Sequence, residues 1–212
     1  GLNYERGYGV SQNIEKALYW LEKAAEDNYP AALVELGDLY FVGEYVETDL
    51  EKSFSYYQRG AKIGYNQSKL QISTFYEKGL VVEKDLEMAK KMDQDVYDSY
   101  YEQAITEDDR DAQFRLGNFY FFGLPLVGIE PDYSQAAEWY EKAAENGLDH
   151  AQNNMGNMYA RGIGVAQNYE KAFYWYSQAA ERLNQEAMSN VANCYYLGRG
   201  VEQDYIKAAE FH

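Results

Sequence analysis

Apolar and small residues recur at steps of three and four from Pro30 to Tyr40, at Ala32, Leu33, Leu36, Gly37, Leu39 and Tyr40, which is the spacing of one face of an amphipathic helix. Gly43 follows just past the last periodic residue, where a left-handed backbone closes a helix and glycine adopts it without steric penalty. After a short polar loop, Asp49 is placed to accept a hydrogen bond from an orphan amide of a second helix, a cap worth about 1 kcal/mol. The pattern predicts a helix A, a tight turn and a helix B.

The same order returns down the chain. Tyr4, Tyr40, Tyr76, Tyr120, Tyr159 and Tyr195 are each followed three residues later by glycine, at steps of 36, 36, 44, 39 and 36 residues. Ala17, Ser53, Ala89, Ala136, Ala172 and Ala208 step by 36, 36, 47, 36 and 36. Both series fit a 36-residue repeat with an 8-residue insertion between Tyr97 and Leu116 and a 3-residue insertion between Gly123 and Asp132. Asn13, Asp49, Asp85, Asp132, Asn168 and Asp204 occupy the cap position in turn. The repeats run over residues 1–29 (partial), 30–65, 66–109 (with the first insertion), 110–148 (with the second), 149–184 and 185–212 (partial), forming a single array. Gly1 falls inside a helical pattern and His212 inside a helix B, so the expectation is a piece of a longer array.

Helix B is clearest over Glu15–Ala25, Ala136–Ala144 and Lys171–Ala180, where Trp20, Trp139 and Trp175 alternate with alanines. Such small residues let a neighbouring helix approach while the aromatic fills the space beside it. Gly37, Gly117 and Gly156 inside helix A cost about 1 kcal/mol each relative to alanine, and close approach of a helix backbone is the expected compensation.

Met155, Gly156, Tyr159, Gly162, Gly164 and Val165, followed by Asn168, Lys171, Ala172, Trp175, Tyr176, Ala179 and Ala180, resemble the Sel-one-like repeat, a relative of the tetratricopeptide repeat. The resemblance covers the whole chain and is fullest from Ala151 to Leu183. It implies an all-α fold, a right-handed superhelix (solenoid) of about five to six antiparallel helix pairs, with helix A on the concave side and helix B on the convex side. It also implies an adaptor role and a bacterial-envelope or secreted setting, although one cysteine is compatible with cytoplasm as well. The repeat over 66–109 departs from the pattern, with Ser73 for the helix A glycine, Leu80, Val81 and Val82 for the glycine loop, and Val96 and Tyr97 for the double alanine. Its helix B is expected to run to about Ile105 and absorb the first insertion. The second insertion, Leu124 to Pro131, enlarges a loop between helices.

Charge narrows the partners. Asp and Glu number 35 against 19 Lys and Arg, a net charge of −16 that opposes nucleic acid and anionic lipid. Eight acidic residues and one Arg lie between Asp93 and Asp111, a solvated face or a docking patch for a basic partner. No apolar run is long enough to cross a bilayer, so no direct membrane insertion is expected. The single cysteine, Cys194, stands where other repeats carry Leu39, Phe119 and Met158, which makes it a core residue.

Candidate chemistry is absent. His150 and His212 have no metal-ligating companions in sequence, no nucleophile sits beside a base, and no cofactor motif occurs, so neither a catalytic nor a metal site is assigned. A cell-wall-related hydrolase, suggested by cysteine-rich members of the resembled family, lacks its cysteine pairs here. If helix A lines a groove, the residue after each Leu-Gly position forms a polar ladder: Asp38, Thr74, Asn118, Asn157 and Asn193. Phe41, Phe121 and Tyr196 flank it on one side, and Val34, Phe114 and Asn153 on the other. Short polar groups in register suit the backbone of an extended peptide, and the flanking apolar residues suit its side chains. The expectation is a non-catalytic scaffold that holds a partner protein or peptide in this groove. The alternative is a structural spacer or self-assembling element with no groove ligand.

Overall fold

The computed structural model describes residues 14–211. Tyr4, Gly7, the Asn13 cap, Gly1 and His212 lie outside them. The described chain is all-α, with eleven α-helices in succession: α1 Ile14–Glu26, α2 Pro30–Val42, α3 Leu50–Lys62, α4 Asn66–Lys78, α5 Leu86–Thr106, α6 Arg110–Phe122, α7 Tyr133–Glu145, α8 Asp149–Arg161, α9 Tyr169–Glu181, α10 Gln185–Leu197 and α11 Tyr205–Glu210. Helix A of the repeat is α2, α4, α6, α8 and α10, and helix B is α1, α3, α5, α7, α9 and α11. The chain forms two compact bodies, one ending at Val96 and the other beginning at Tyr97. Within each, consecutive helices pack against one another in chain order.

The turn between helices A and B is closed by one recurring backbone bond. The amide of the cap residue donates to the carbonyl of the repeat tyrosine: Asp49 to Tyr40 at 2.9 Å, Asp85 to Tyr76 at 3.0 Å, Asp132 to Tyr120 at 2.7 Å, Asn168 to Tyr159 at 2.9 Å and Asp204 to Tyr195 at 3.0 Å. The side chain of each cap then accepts from the first turn of helix B, from Lys52, Met88, Ser134 and Gln135, Lys171, and Ile206 and Lys207 in turn. One short residue thereby fixes the end of one helix and the start of the next. Gly43, Gly79, Gly162 and Gly198 cap helix A in the left-handed conformation as the pattern predicts. Gly123 differs, at φ 83° and ψ 162°, because the insertion turns the chain outward into a short 3₁₀ segment, Pro125–Val127, pinned by a Leu124–Ile129 bridge.

The first insertion is helical. Helix α5 has 21 residues where α3, α7 and α9 have 13, a difference of 8 that matches the inserted length. In the loop before it, Val81 takes a positive φ of 65°, the position held by Gly164 and Gly200 in later repeats. A β-branched residue is strained there.

The helix A glycines make room for something other than a helix backbone. A Cβ built on Gly117 would sit 2.5 Å from the ring of Tyr140, and one on Gly37 or Gly156 would meet Tyr57 or Tyr176 as closely. Each tyrosine comes from helix B of the same repeat and is buried. The reason for these glycines is therefore an aromatic ring packed against the helix at the glycine.

The repeat over 66–109, where serine stands for the glycine, also lacks the tyrosine. Ser73 replaces glycine in α4, and Asp93 stands in the tyrosine register of α5, 6% exposed. Burial pushes the Asp93 carboxyl above the ordinary carboxylate range. The hydroxyl bridge between the two helices reverses as well. Ser53 in α3 donates to the Gly37 carbonyl at 2.8 Å, whereas in the next repeat Ser73 in α4 donates to the Ala89 carbonyl at 3.1 Å. The two positions exchange roles and keep the contact.

The tryptophans divide. Trp175 is buried as expected and Trp139 half-buried, but Trp20 is 51% exposed and meets Tyr19 edge-on at 5.2 Å, so it fills no gap among the described helices. Cys194 is buried and free, its thiol pushed up by burial.

Gly117→Ala is expected to lower stability by about 1–3 kcal/mol, because overpacking against Tyr140 outweighs the helix propensity gained. A thermal melt in which the variant matches or exceeds the parent would overturn the ring-on-glycine packing. In the irregular repeat, Asp93→Tyr alone should destabilise, and Ser73→Gly added to it should recover most of the loss. A double-mutant cycle is expected to give a coupling of at least about 1 kcal/mol.

Candidate functional site

The ladder residues stand on consecutive helix A segments, and three of the five are held from behind. In the N-terminal body, Asp38 on α2 accepts from the Tyr57 hydroxyl at 2.6 Å. In the C-terminal body, Asn118 on α6 accepts from Tyr140 at 2.7 Å and Asn157 on α8 from Tyr176 at 2.8 Å. The tyrosine that lies on the helix A glycine thus reaches across it and fixes the ladder side chain with its hydroxyl. Burial raises all three phenols, that of Tyr176 to about 12, so each hydroxyl keeps its proton and remains a donor at neutral pH. Thr74, in the repeat without the tyrosine, turns its hydroxyl back to the Leu70 carbonyl of its own helix at 3.3 Å. Asn193 on α10 is exposed.

Fixing the oxygen decides what the asparagines present. With each Oδ1 occupied by a tyrosine hydroxyl, the Nδ2 amide of Asn118 and of Asn157 has no protein partner among the described residues. Both side chains therefore offer donors outward.

Two cavities adjoin in the C-terminal body. One, of about 200 Å³, is lined by Asn118, Phe121, Phe122, Tyr140, Asn157 and Arg161 among others. The second, of about 210 Å³, includes Asn157, Arg161, Tyr176, Asn193, Cys194 and Arg199. Asn157 and Arg161 line both, so the cavities follow one another from α6 past α8 to α10, in step with the repeat.

The flanking residues separate into two kinds. Phe41 packs half-buried on Phe75, ring centroids 5.7 Å apart, and Val34 lies against the same cluster. Phe114 contacts Tyr140 at 5.5 Å, and Phe121 contacts Tyr133 at 5.1 Å and Tyr140 at 6.3 Å. These phenylalanines are part of the core wall, and Phe121 also reaches the cavity. Tyr196 is exposed and meets Tyr205 edge-on at 5.4 Å. Asn153 requires correction: it is 2% exposed, donates to Glu186 at 3.2 Å and accepts from Asn190 at 2.9 Å, and so ties α8 to α10 without facing a ligand. Its side chain can satisfy donor and acceptor together between two helices, which an exposed apolar column does not require.

Two kinds of residue escaped the sequence pattern. Tyr57, Tyr140 and Tyr176 orient the ladder from 19 to 22 residues downstream, and Arg161 and Arg199 are the charged residues among the described linings of the two cavities. Among the described residues, no group of three or more His, Cys, Asp and Glu side chains is arranged to hold a metal, and no helix is long and apolar enough to cross a membrane. His150 lies at the start of α8, 3.4 Å from the Asn184 amide.

A family model described as Sel1 repeat matches residues 1–29, 30–65, 69–92, 110–148, 149–182 and 185–212. A Sel1 repeat protein from Oxalobacter formigenes is 30% identical, with a TM-score of 0.59 over 99% of this chain and 82% of that one. The protective antigen c5321 of uropathogenic Escherichia coli, which displays an SLR fold, is 30% identical, with a TM-score of 0.54 over 99% of this chain and 43% of that one. The ERAD-associated E3 ubiquitin-protein ligase component HRD3A of Arabidopsis thaliana is 33% identical over 63 residues, 30% of this chain and 9% of the relative. The chain spans about a tenth of the length of the curated relatives it matches.

Tyr140→Phe removes the hydroxyl behind Asn118 and is expected to cost about 0.5–1.5 kcal/mol of stability with the helical content unchanged. Urea denaturation followed by circular dichroism checks it. A midpoint identical to the parent's would mean that the Tyr140–Asn118 bond contributes nothing.

Proposed function

Because the chain belongs to the Sel1 repeat family, we propose that it is a non-catalytic scaffold that holds an extended segment of a partner protein along the helix A face of its C-terminal body. One observation carries the reading: two adjoining cavities of about 200 and 210 Å³ share Asn157 and Arg161 and repeat with the helices. An extended peptide advances about 3.3 Å per residue and exposes a carbonyl at each step, so donors spaced along successive helices can bind its backbone whatever its side chains. Phe121 and Phe122 supply an apolar wall for an anchoring side chain. HRD3A is itself named as a component of an E3 ubiquitin-protein ligase, and a scaffold role of that general kind is the one supported here.

Pre-orientation adds to the case. Side chains already fixed by Tyr140 and Tyr176 lose little rotamer freedom when a ligand arrives, which lowers the entropic cost of binding.

A library of random dodecapeptides passed over the immobilised chain is expected to leave a retained pool. The triple variant Asn118→Ala, Asn157→Ala and Asn193→Ala should retain roughly tenfold less, about 1.4 kcal/mol, while keeping its helical spectrum. Equal retention by the two proteins would rule out the groove as the binding site.

A further inference from the structure

We infer that the segment held in this groove is acidic, an extended peptide whose side-chain carboxylates meet Arg161 and Arg199. The inference rests on the reading of the groove as a binding site and specifies its partner.

Among the described residues, the linings of the two cavities together include two guanidinium groups and no Asp or Glu. Both arginines are exposed, and among the described residues neither forms an ion pair with a carboxylate. Arg199 lies over the ring of Tyr169, its guanidinium 5.2 Å from the centroid, a contact that positions the group and leaves its charge unneutralised. Arg161, in the last turn of α8, lines both cavities.

The neutral lining points the same way. Asn118 and Asn157 spend their oxygens on Tyr140 and Tyr176 and offer amide donors. Backbone carbonyls satisfy those amides, and carboxylates satisfy the fork of an arginine with two parallel bonds. A lysine-rich segment would bring ammonium groups to guanidinium groups in the same cavities.

The sign opposes the protein's overall charge of −16, which by itself favours a basic partner. Range resolves the conflict. At physiological salt the screening length is about 8 Å, so acids elsewhere on the surface are largely damped while a contact pair is not.

The test uses the full chain and a random dodecapeptide library with acetylated N-termini and amidated C-termini, so that side chains carry all the acidic charge. At about 0.15 M salt, the combined frequency of Asp and Glu in the retained pool should rise about twofold over the input. Arg161→Gln with Arg199→Gln should abolish that rise while the helical spectrum is kept. A retained pool enriched in Lys and Arg, or without charge bias, would overturn the inference. If that unbiased pool is still lost in the triple asparagine variant, the groove stands and only the acidic partner falls. If the unsubstituted chain retains no peptide, groove and partner fall together.

Discussion

The bond from the cap residue's amide to the repeat tyrosine's carbonyl is the constraint around which each hairpin is built. It joins the last turn of helix A to the first residue before helix B, so two helix ends that would otherwise expose unsatisfied groups complete one another. The bond survives a change in loop length. Tyr120 and Asp132 are twelve residues apart, against nine elsewhere, and their bond is 2.7 Å. The added residues are taken up by a 3₁₀ turn within the loop that the bond closes. What the fold conserves from repeat to repeat is a junction, and the segments between junctions are free to lengthen.

Local features were legible in the sequence because their causes are local. A glycine three residues after a tyrosine and an Asp or Asn before a helix act within a single turn, and both occur where the pattern places them. The long α5 follows from counting residues between landmarks, and it ends at Thr106, one residue beyond the expected limit. The partners of the ladder were harder to see. Tyr57, Tyr140 and Tyr176 act across a helix pair, and nothing in the spacing of an amphipathic face says that their hydroxyls reach past a glycine to the next polar residue. A signal was present in the chain itself: where Tyr gives way to Asp93, Gly gives way to Ser73 and Asn to Thr74. In that repeat the three positions differ together, and in its neighbours they form one contact. Asn153 misled for the opposite reason, since its register on helix A matches Val34 and Phe114 while its side chain bridges to Glu186 and Asn190.

The charge of the cavities was not legible in the sequence. A net value of −16 describes the field at a distance, whereas the groove is decided by which side chains converge on it. Arg161 and Arg199 lie at the end of a helix and just beyond one, positions whose facing direction is set by how the turns fold. The two scales carry opposite signs in this protein, and contact geometry governs the short one.

The tyrosine behind each ladder asparagine has an evolutionary corollary. Its hydroxyl selects which end of the amide faces outward, so a substitution hidden within the hairpin, such as phenylalanine for Tyr176, frees the amide of Asn157 to flip and display an acceptor. In the proposed groove, recognition can then drift without any change in the residues that would touch a guest. Comparing only the visible lining of two such grooves would miss the altered specificity written one layer beneath.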